Sequence, residues 1–245
     1  MKKLFLLLAT NLLALNLFAQ TTDPEQLKKE GNEALTAKNY AVAFEKYNAY
    51  LTQSGKNDST VIFNCAVCAD KADKLEEAAK YFQKSIDNDY NAESSYVGLA
   101  KAYYDMKKGP QLIATAKEGM EKFPANINLQ KLVYGYSMKQ GQALQKAGKV
   151  KEAEDCFEQA LIITDKKMKT NVLYSLGVLY YNTGAVTLQK ATPLATSDPD
   201  KYNAEKAEAT ADFKKANDYL SEAVTLSPDN TNAKKLLDSV KAAMK

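Results

Sequence analysis

The chain has 245 residues, 45% apolar and 26% charged, with 33 basic and 30 acidic side chains and a formal net charge of +3. It contains no His, no Trp and no Arg, so every basic residue is a Lys. Without imidazole the usual neutral-pH base and commonest metal ligand is missing, and without guanidinium so is the bidentate grip on carboxylate and phosphate; most hydrolytic and metal-dependent mechanisms lose their usual players.

The first element is a leader, "MKKLFLLLATNLLALNLFAQ". It has a Lys2–Lys3 n-region, an apolar run from Leu4 to Phe18 interrupted by Thr10, Asn11 and Asn16, and a small residue at Ala19. This is the pattern of a secretory signal peptide over 1–19, cleaved between Ala19 and Gln20. The run is about 15 residues, short of the roughly 20 that span a bilayer. No Cys lies near the cleavage point to carry a lipid anchor. The expectation is an exported chain, periplasmic or envelope-associated, with no membrane span after cleavage. Loss of Lys2 and Lys3 leaves 31 basic against 30 acidic residues, or +1. Charges of both signs are interspersed, so the basic stripe that a phosphate backbone needs is missing and nucleic acid is not expected as a partner.

The stretch "LKKEGNEALTAKNYAVAFEKYNAYL", Leu27 to Leu51, reads as two short helices, and its second half returns along the chain. Echoes occur at "DKLEEAAKYFQKSI", "GKVKEAEDCFEQAL" and "FKKANDYLSEAV". Each sets a small residue four before a bulky one: Ala43 and Tyr47, Ala78 and Phe82, Ala153 and Phe157, Ala216 and Leu220. Ser85, Ala160 and Ala223 follow three later, and the step from Ala43 to Ala78 is 35. A methyl facing a ring at helical spacing lets two helices approach closely.

With this period the chain resembles the tetratricopeptide repeat (TPR) family, whose helix pairs recur about every 34 residues. The family places a small residue where the first helix of each pair crosses the second, and Gly31, Ala66, Ala100, Gly141 and Gly177 stand there. Pro124 and Pro228 close two of the pairs. Two departures stand out: Tyr50 occupies a position for a small residue, and the third pair has Leu112 and Ala116 in place of the small-then-bulky order. The resemblance implies an all-α, right-handed superhelical solenoid over 20–245. Its helix pairs fall at about 24–57, 58–91, 92–126, 127–167 and 168–230. A C-terminal helix over 231–245, with Leu236, Leu237 and Val240 inward, caps the exposed end of the stack.

The pairs are unequal. Ala100 lies 24 positions before Pro124, whereas Gly177 lies 51 before Pro228, an excess of 27 that calls for long helices on both sides of "ATPLATSDPD". The fourth pair is lengthened as well, running from Ile127 to Gly148 without Pro and adding Leu129, Leu132 and Val133 to its apolar face. These extensions serve either longer packing or a dedicated docking surface.

Candidate chemistry is sparse. "CAVC" spaces Cys65 and Cys68 as in thiol oxidoreductases, but inside a helix that offers neither thiol an N-terminus, so small core residues are expected. Cys156 makes the thiol count odd, and three thiols without His make neither a disulfide framework nor a metal site. No phosphate loop or nucleophile elbow occurs, so neither catalytic residues nor cofactors are expected. The fifteen Tyr are expected as core knobs with polar tips.

The resemblance further implies a concave groove lined by the first helices and facing a segment of a partner protein. The expected lining is Phe63, Asn64, Val67, Lys101, Tyr104, Gln142, Tyr174 and Tyr181. Family members that hold a peptide's C-terminal carboxylate use a Lys/Asn set, which Lys28, Asn32 and Asn64 match, while Ser94 and Gly98 stand where two further cations belong. The reading is a non-enzymatic, envelope-localised binding scaffold. Its alternative is a structural subunit of an envelope or secretion complex, docking through the long last pair. The sequence leaves the oligomeric state and the partner's identity open.

Overall fold

The computed structural model describes residues 23–245; the leader lies outside them. The described residues form helices and connecting turns without a strand. Ten helices make five pairs: α1 (Pro24–Thr36) with α2 (Tyr40–Ser54), α3 (Ser59–Lys71) with α4 (Leu75–Asp87), and α5 (Ala92–Asp105) with α6 (Gly109–Lys122). α7 (Ile127–Lys146) pairs with α8 (Val150–Glu158), and α9 (Lys166–Ala191) with α11 (Pro199–Leu226). The single turn α10 (Leu194–Ser197) joins the last two, and α12 (Thr231–Ala243) follows. Each helix packs on its successor, and first helices also touch in sequence, α3 on α5, α5 on α7, α7 on α9 and α9 on α12. The architecture is the all-α solenoid of TPR-like pairs that the period implied, with the elongated last pair and the terminal cap.

Local chemistry starts and stops the helices. Asp23, Asn39, Asp58, Asn126, Asp165, Asp198 and Asn230 each accept a backbone N–H of the first turn, satisfying donors that a helix start leaves free. Within the first four pairs the turn is repeated: Lys38, Asp73, Lys107 and Gly148 take positive φ. The next residue's N–H then returns to a carbonyl five back, as from Asn39 to Ala34 and from Lys149 to Leu144. That is the Schellman closure; only the fourth turn has the Gly it favours.

Packing follows the small-against-large rule. A Cβ on Gly31 would lie 2.7 Å from the Tyr47 ring, on Gly141 2.4 Å from Phe157, and on Gly177 2.5 Å from Leu220. Gly31–Tyr47 and Gly141–Phe157 are each 16 apart; Gly177–Leu220 is 43 apart, and 43 − 16 is again 27. The insertion therefore lies wholly distal to the crossing and leaves the packing register untouched. Ala43, Ala78, Ala153 and Ala216 are fully buried with their bulky partners. The core is three linked clusters: Ile86 and Tyr103 join the first to the second, and Leu161 and Tyr219 the second to the third.

Three irregularities have physical causes. Tyr50, in place of a small residue, turns its hydroxyl to Asp58 at 3.2 Å and its ring beneath the Lys28 ammonium at 5.6 Å, so the ring is buried without an orphaned polar atom. The second helix of the fourth pair is shorter than its motif implied, because after Glu158 it tightens into a 3-10 turn, Gln159–Ile162. Buried Gln130 holds the exit, its Oε1 accepting the N–H groups of Thr164 and Asp165 and its Nε2 donating to the Thr164 hydroxyl. The last pair runs past the stack: α9 continues 14 residues beyond Gly177 where α7 continues five beyond Gly141. The cap seats Ala233, Leu237 and Val240 on the third cluster, with Leu236 half-buried.

Candidate functional site: the wall of first helices

The sequence-predicted groove residues all lie on first helices, but only two share a cavity. Lys101 and Tyr104 of α5 line a cleft of about 380 Å³ together with Val97 and, from α7, Asn128, Lys131, Leu132 and Gly135. A second, smaller cavity of about 160 Å³ also borders Tyr104, with Asp105, Lys107, Tyr136, Lys139 and Gln140 around it. Tyr104 thus borders both hollows, held edge-on against Tyr136 at 6.4 Å between centroids. Gly135 keeps the larger cleft open, since a Cβ there would meet only the Tyr104 hydroxyl at 3.9 Å.

The other predicted residues do different work. Phe63 is half-buried between Phe82 and Tyr90, edge-on to both at 6.3 and 6.2 Å, and Val67 packs against the first cluster. Gln142 is exposed on α7. Tyr174 and Tyr181 pack on the third cluster, Tyr181 tilted on Phe213 at 5.9 Å. The Lys101 ammonium bridges Asp70 at 2.8 Å and Asp105 at 2.9 Å, so its charge is answered within the protein.

Two of the three residues of the partial carboxylate clamp already have partners within the protein. Asn32 accepts the Tyr47 hydroxyl at 2.8 Å, and burial pushes that phenol up to about 12, while Asn64 lies half-buried on α3. Lys28 instead pairs with Asp58 at 2.7 Å; the Asp58 hydrogen bond holds this Lys above its ordinary range. At Gly98, where a clamp cation would stand, a Cβ would lie 2.4 Å from the Phe82 ring, so a long side chain cannot enter unless that ring moves.

Cys65 and Cys68 are free and fully buried, and burial pushes both thiols up, Cys68 to about 11. They are core residues and poor nucleophiles. Among the described residues no group of three carboxylate or thiol side chains converges as a metal site, and no helix is long and apolar enough to cross a membrane.

Sequence reasoning missed the α7 half of the cleft. Leu132 was visible only as added apolar length, whereas Leu129 and Val133 of the same extension are fully buried. It also missed the polar lock between the last two pairs. There Glu154 of α8 accepts the Tyr180 hydroxyl and pairs with Lys151 and Lys215, the Lys215 ammonium sits 4.5 Å over the Tyr180 ring, and Tyr219 donates to Glu158 at 2.8 Å. These partners are up to 61 residues apart, too far for a local pattern to reveal.

No protein-family model matches the chain, and neither does any curated protein. Among solved structures it is similar to a TPR repeats protein from Bacteroides fragilis NCTC 9343, with 53% identity and a TM-score of 0.82 over 90% of this chain and 99% of that one. Weaker likenesses include the P58(IPK) TPR domain (11% identity, TM-score 0.44, 90% of this chain and 65% of that one). YrrB, a TPR protein with an unusual peptide-binding site, is 15% identical with a TM-score of 0.40 over 90% and 92% of the two chains. The similarity to the Bacteroides protein extends over nearly the whole of both molecules, at an identity of more than half: the chain belongs to the TPR repeat family.

Proposed function

We propose that the protein is a non-enzymatic binding scaffold of the cell envelope that presents its wall of first helices to a segment of a partner protein. The observation that carries this reading is the cleft between α5 and α7, an apolar hollow walled by Val97, Tyr104 and Leu132 and rimmed by polar side chains. Such clefts suit an anchor side chain, and a few anchors supply most of the energy of an interface. Lys101 and Tyr104 are the groove residues best placed to touch the partner; Gln142 lies on the adjoining helix, and Phe63, Val67, Tyr174 and Tyr181 support the wall from within. The partial clamp of Lys28, Asn32 and Asn64 is a weaker candidate, since Asp58 already answers the Lys28 charge. Export to the periplasm or envelope rests on the leader's sequence alone.

A second reading has its own observation. The long last pair carries Val186, 47% exposed beside a hollow of about 430 Å³ that it shares with Leu179 and Val150, and this suits assembly into a larger complex. Partner capture from an envelope fraction separates the two. The pair Tyr104→Ala and Leu132→Ala is expected to weaken capture at least roughly tenfold with the helical circular dichroism kept, while Val186→Asp leaves it unchanged. The reverse pattern would place docking on the last pair and end the groove reading.

A further inference from the structure

Charges that alternate along the sequence are sorted between helices. α7 and α9 hold seven Lys (131, 139, 146, 166, 167, 169 and 190) and no carboxylate. Their partners lean the other way: α8 has Glu152, Glu154, Asp155 and Glu158 against Lys151 alone, and α11 has six carboxylates against four Lys. None of the seven enters an ion pair among the described residues, and all but Lys169 are exposed. Two of them flank the cleft: Lys131 borders its larger cavity and Lys139, with Lys107, the smaller one beside Tyr104, where the one carboxylate, Asp105, is already paired with Lys101.

We propose that this cleft binds an acidic, extended segment of the partner protein, with an aliphatic or aromatic side chain in the Val97–Tyr104–Leu132 hollow and carboxylates facing Lys131 and Lys139. The inference rests on the groove reading and names its partner chemistry. The two Lys are eight residues apart on one helix, about 12 Å along its axis. An extended chain covers that distance in about four residues, so carboxylates roughly two positions either side of the anchor reach both ammonium groups. A nucleic acid fits less well: the hollow is apolar, the cations are point charges without the guanidinium fork, and the carboxylates of α8 and α11 repel a polyanion that follows the chain onto the outer helices.

The test is fluorescence anisotropy on the full exported chain with short extended peptides. One carries Glu on both sides of a central Leu, one replaces the Glu by Lys, and one keeps the Glu but has Gly at the centre; an oligothymidylate and phosphatidylglycerol vesicles complete the set. The acidic Leu peptide is expected to bind at least roughly tenfold more tightly than either variant peptide, and to weaken as salt rises from about 0.05 to about 0.3 M. Lys131→Gln with Lys139→Gln removes most of that preference. Lys131→Glu with Lys139→Glu, on the same exposed positions, reverses it toward the Lys peptide. Equal affinity for the acidic and Lys peptides, or tighter Lys131-dependent binding of the oligonucleotide or the vesicles, overturns the proposal. If both Leu peptides bind alike and Tyr104→Ala abolishes both, only the acidic inference falls; if no peptide binds and partner capture depends on Val186, the groove reading falls with it.

Discussion

At the scale of single residues, the space at a helix crossing decides what a side chain is worth. Gly141 and Gly135 share α7, yet a Cβ at the first meets the buried Phe157 ring at 2.4 Å and at the second only a hydroxyl at 3.9 Å. Gly141→Val is therefore expected to cost about 1–3 kcal/mol through overpacking. Gly135→Ala should gain up to about 1 kcal/mol of helix propensity, and urea denaturation compares the two. A shared sign would contradict the packing scheme.

Charge at this scale has a testable pH signature. Burial works against ionised Glu154, but the Tyr180 hydrogen bond and the Lys151 and Lys215 ammonium groups outweigh it and hold the carboxyl below its ordinary range. A carboxyl with a depressed folded-state pKa stabilises above its unfolded value and loses that contribution as pH falls through the folded one. Stability should thus decline as pH drops from the ordinary Glu range downward. Glu154→Gln should flatten that part of the profile and lower the plateau at neutral pH; a mutant profile parallel to the parent's would dismiss the lock as a source of stability.

At the scale of elements, the long last pair divides at its crossing. Near Gly177 and Leu220 it is clasped between α8 and α12, whereas its distal end is held mainly by Ala191, Ala209 and the Gly184–Phe213 contact. Few buried apolar contacts mean low local opening energy, so hydrogen exchange should be fastest over 192–200 and slow at 172–180. Uniform protection along α9 and α11 would refute this division.

Much of this level was legible in the sequence, because it is governed by local periodicity. A small residue and its bulky partner 16 positions on mark the crossings of the first, second and fourth pairs, and the surplus of 27 sizes the last pair before any coordinate is known. The 3-10 turn after Glu158 was not legible, since it depends on Gln130 from another helix. The cleft was half legible: Tyr104 and Lys101 follow from the face of α5, while Leu132 and Lys131 enter it only because lengthened α7 reaches back alongside. Asp58 hid the fate of Lys28 for the same reason, being 30 residues away.

At the scale of the whole molecule, stability is a chain of neighbouring contacts, and the cap closes its end. Leu237→Asp would put a carboxylate into the third cluster, which the cap shares with α9 and α11. It should destabilise α9–α12 by several kcal/mol while α1–α6 keep their protection, broadening the thermal transition. One sharp transition shifted as a unit would mean that the solenoid folds all-or-none.

The function claimed for this architecture turns on one face, the wall of first helices at α5 and α7. Site-specific photo-crosslinking in the native host addresses it directly, with the crosslinking residue placed in turn at Tyr104, at Val186 on the last pair and at exposed Glu118 on α6. The account predicts a discrete adduct from position 104 in which the crosslinked segment is rich in Asp and Glu, and none from position 118. Adducts from position 186 with none from 104 would contradict it.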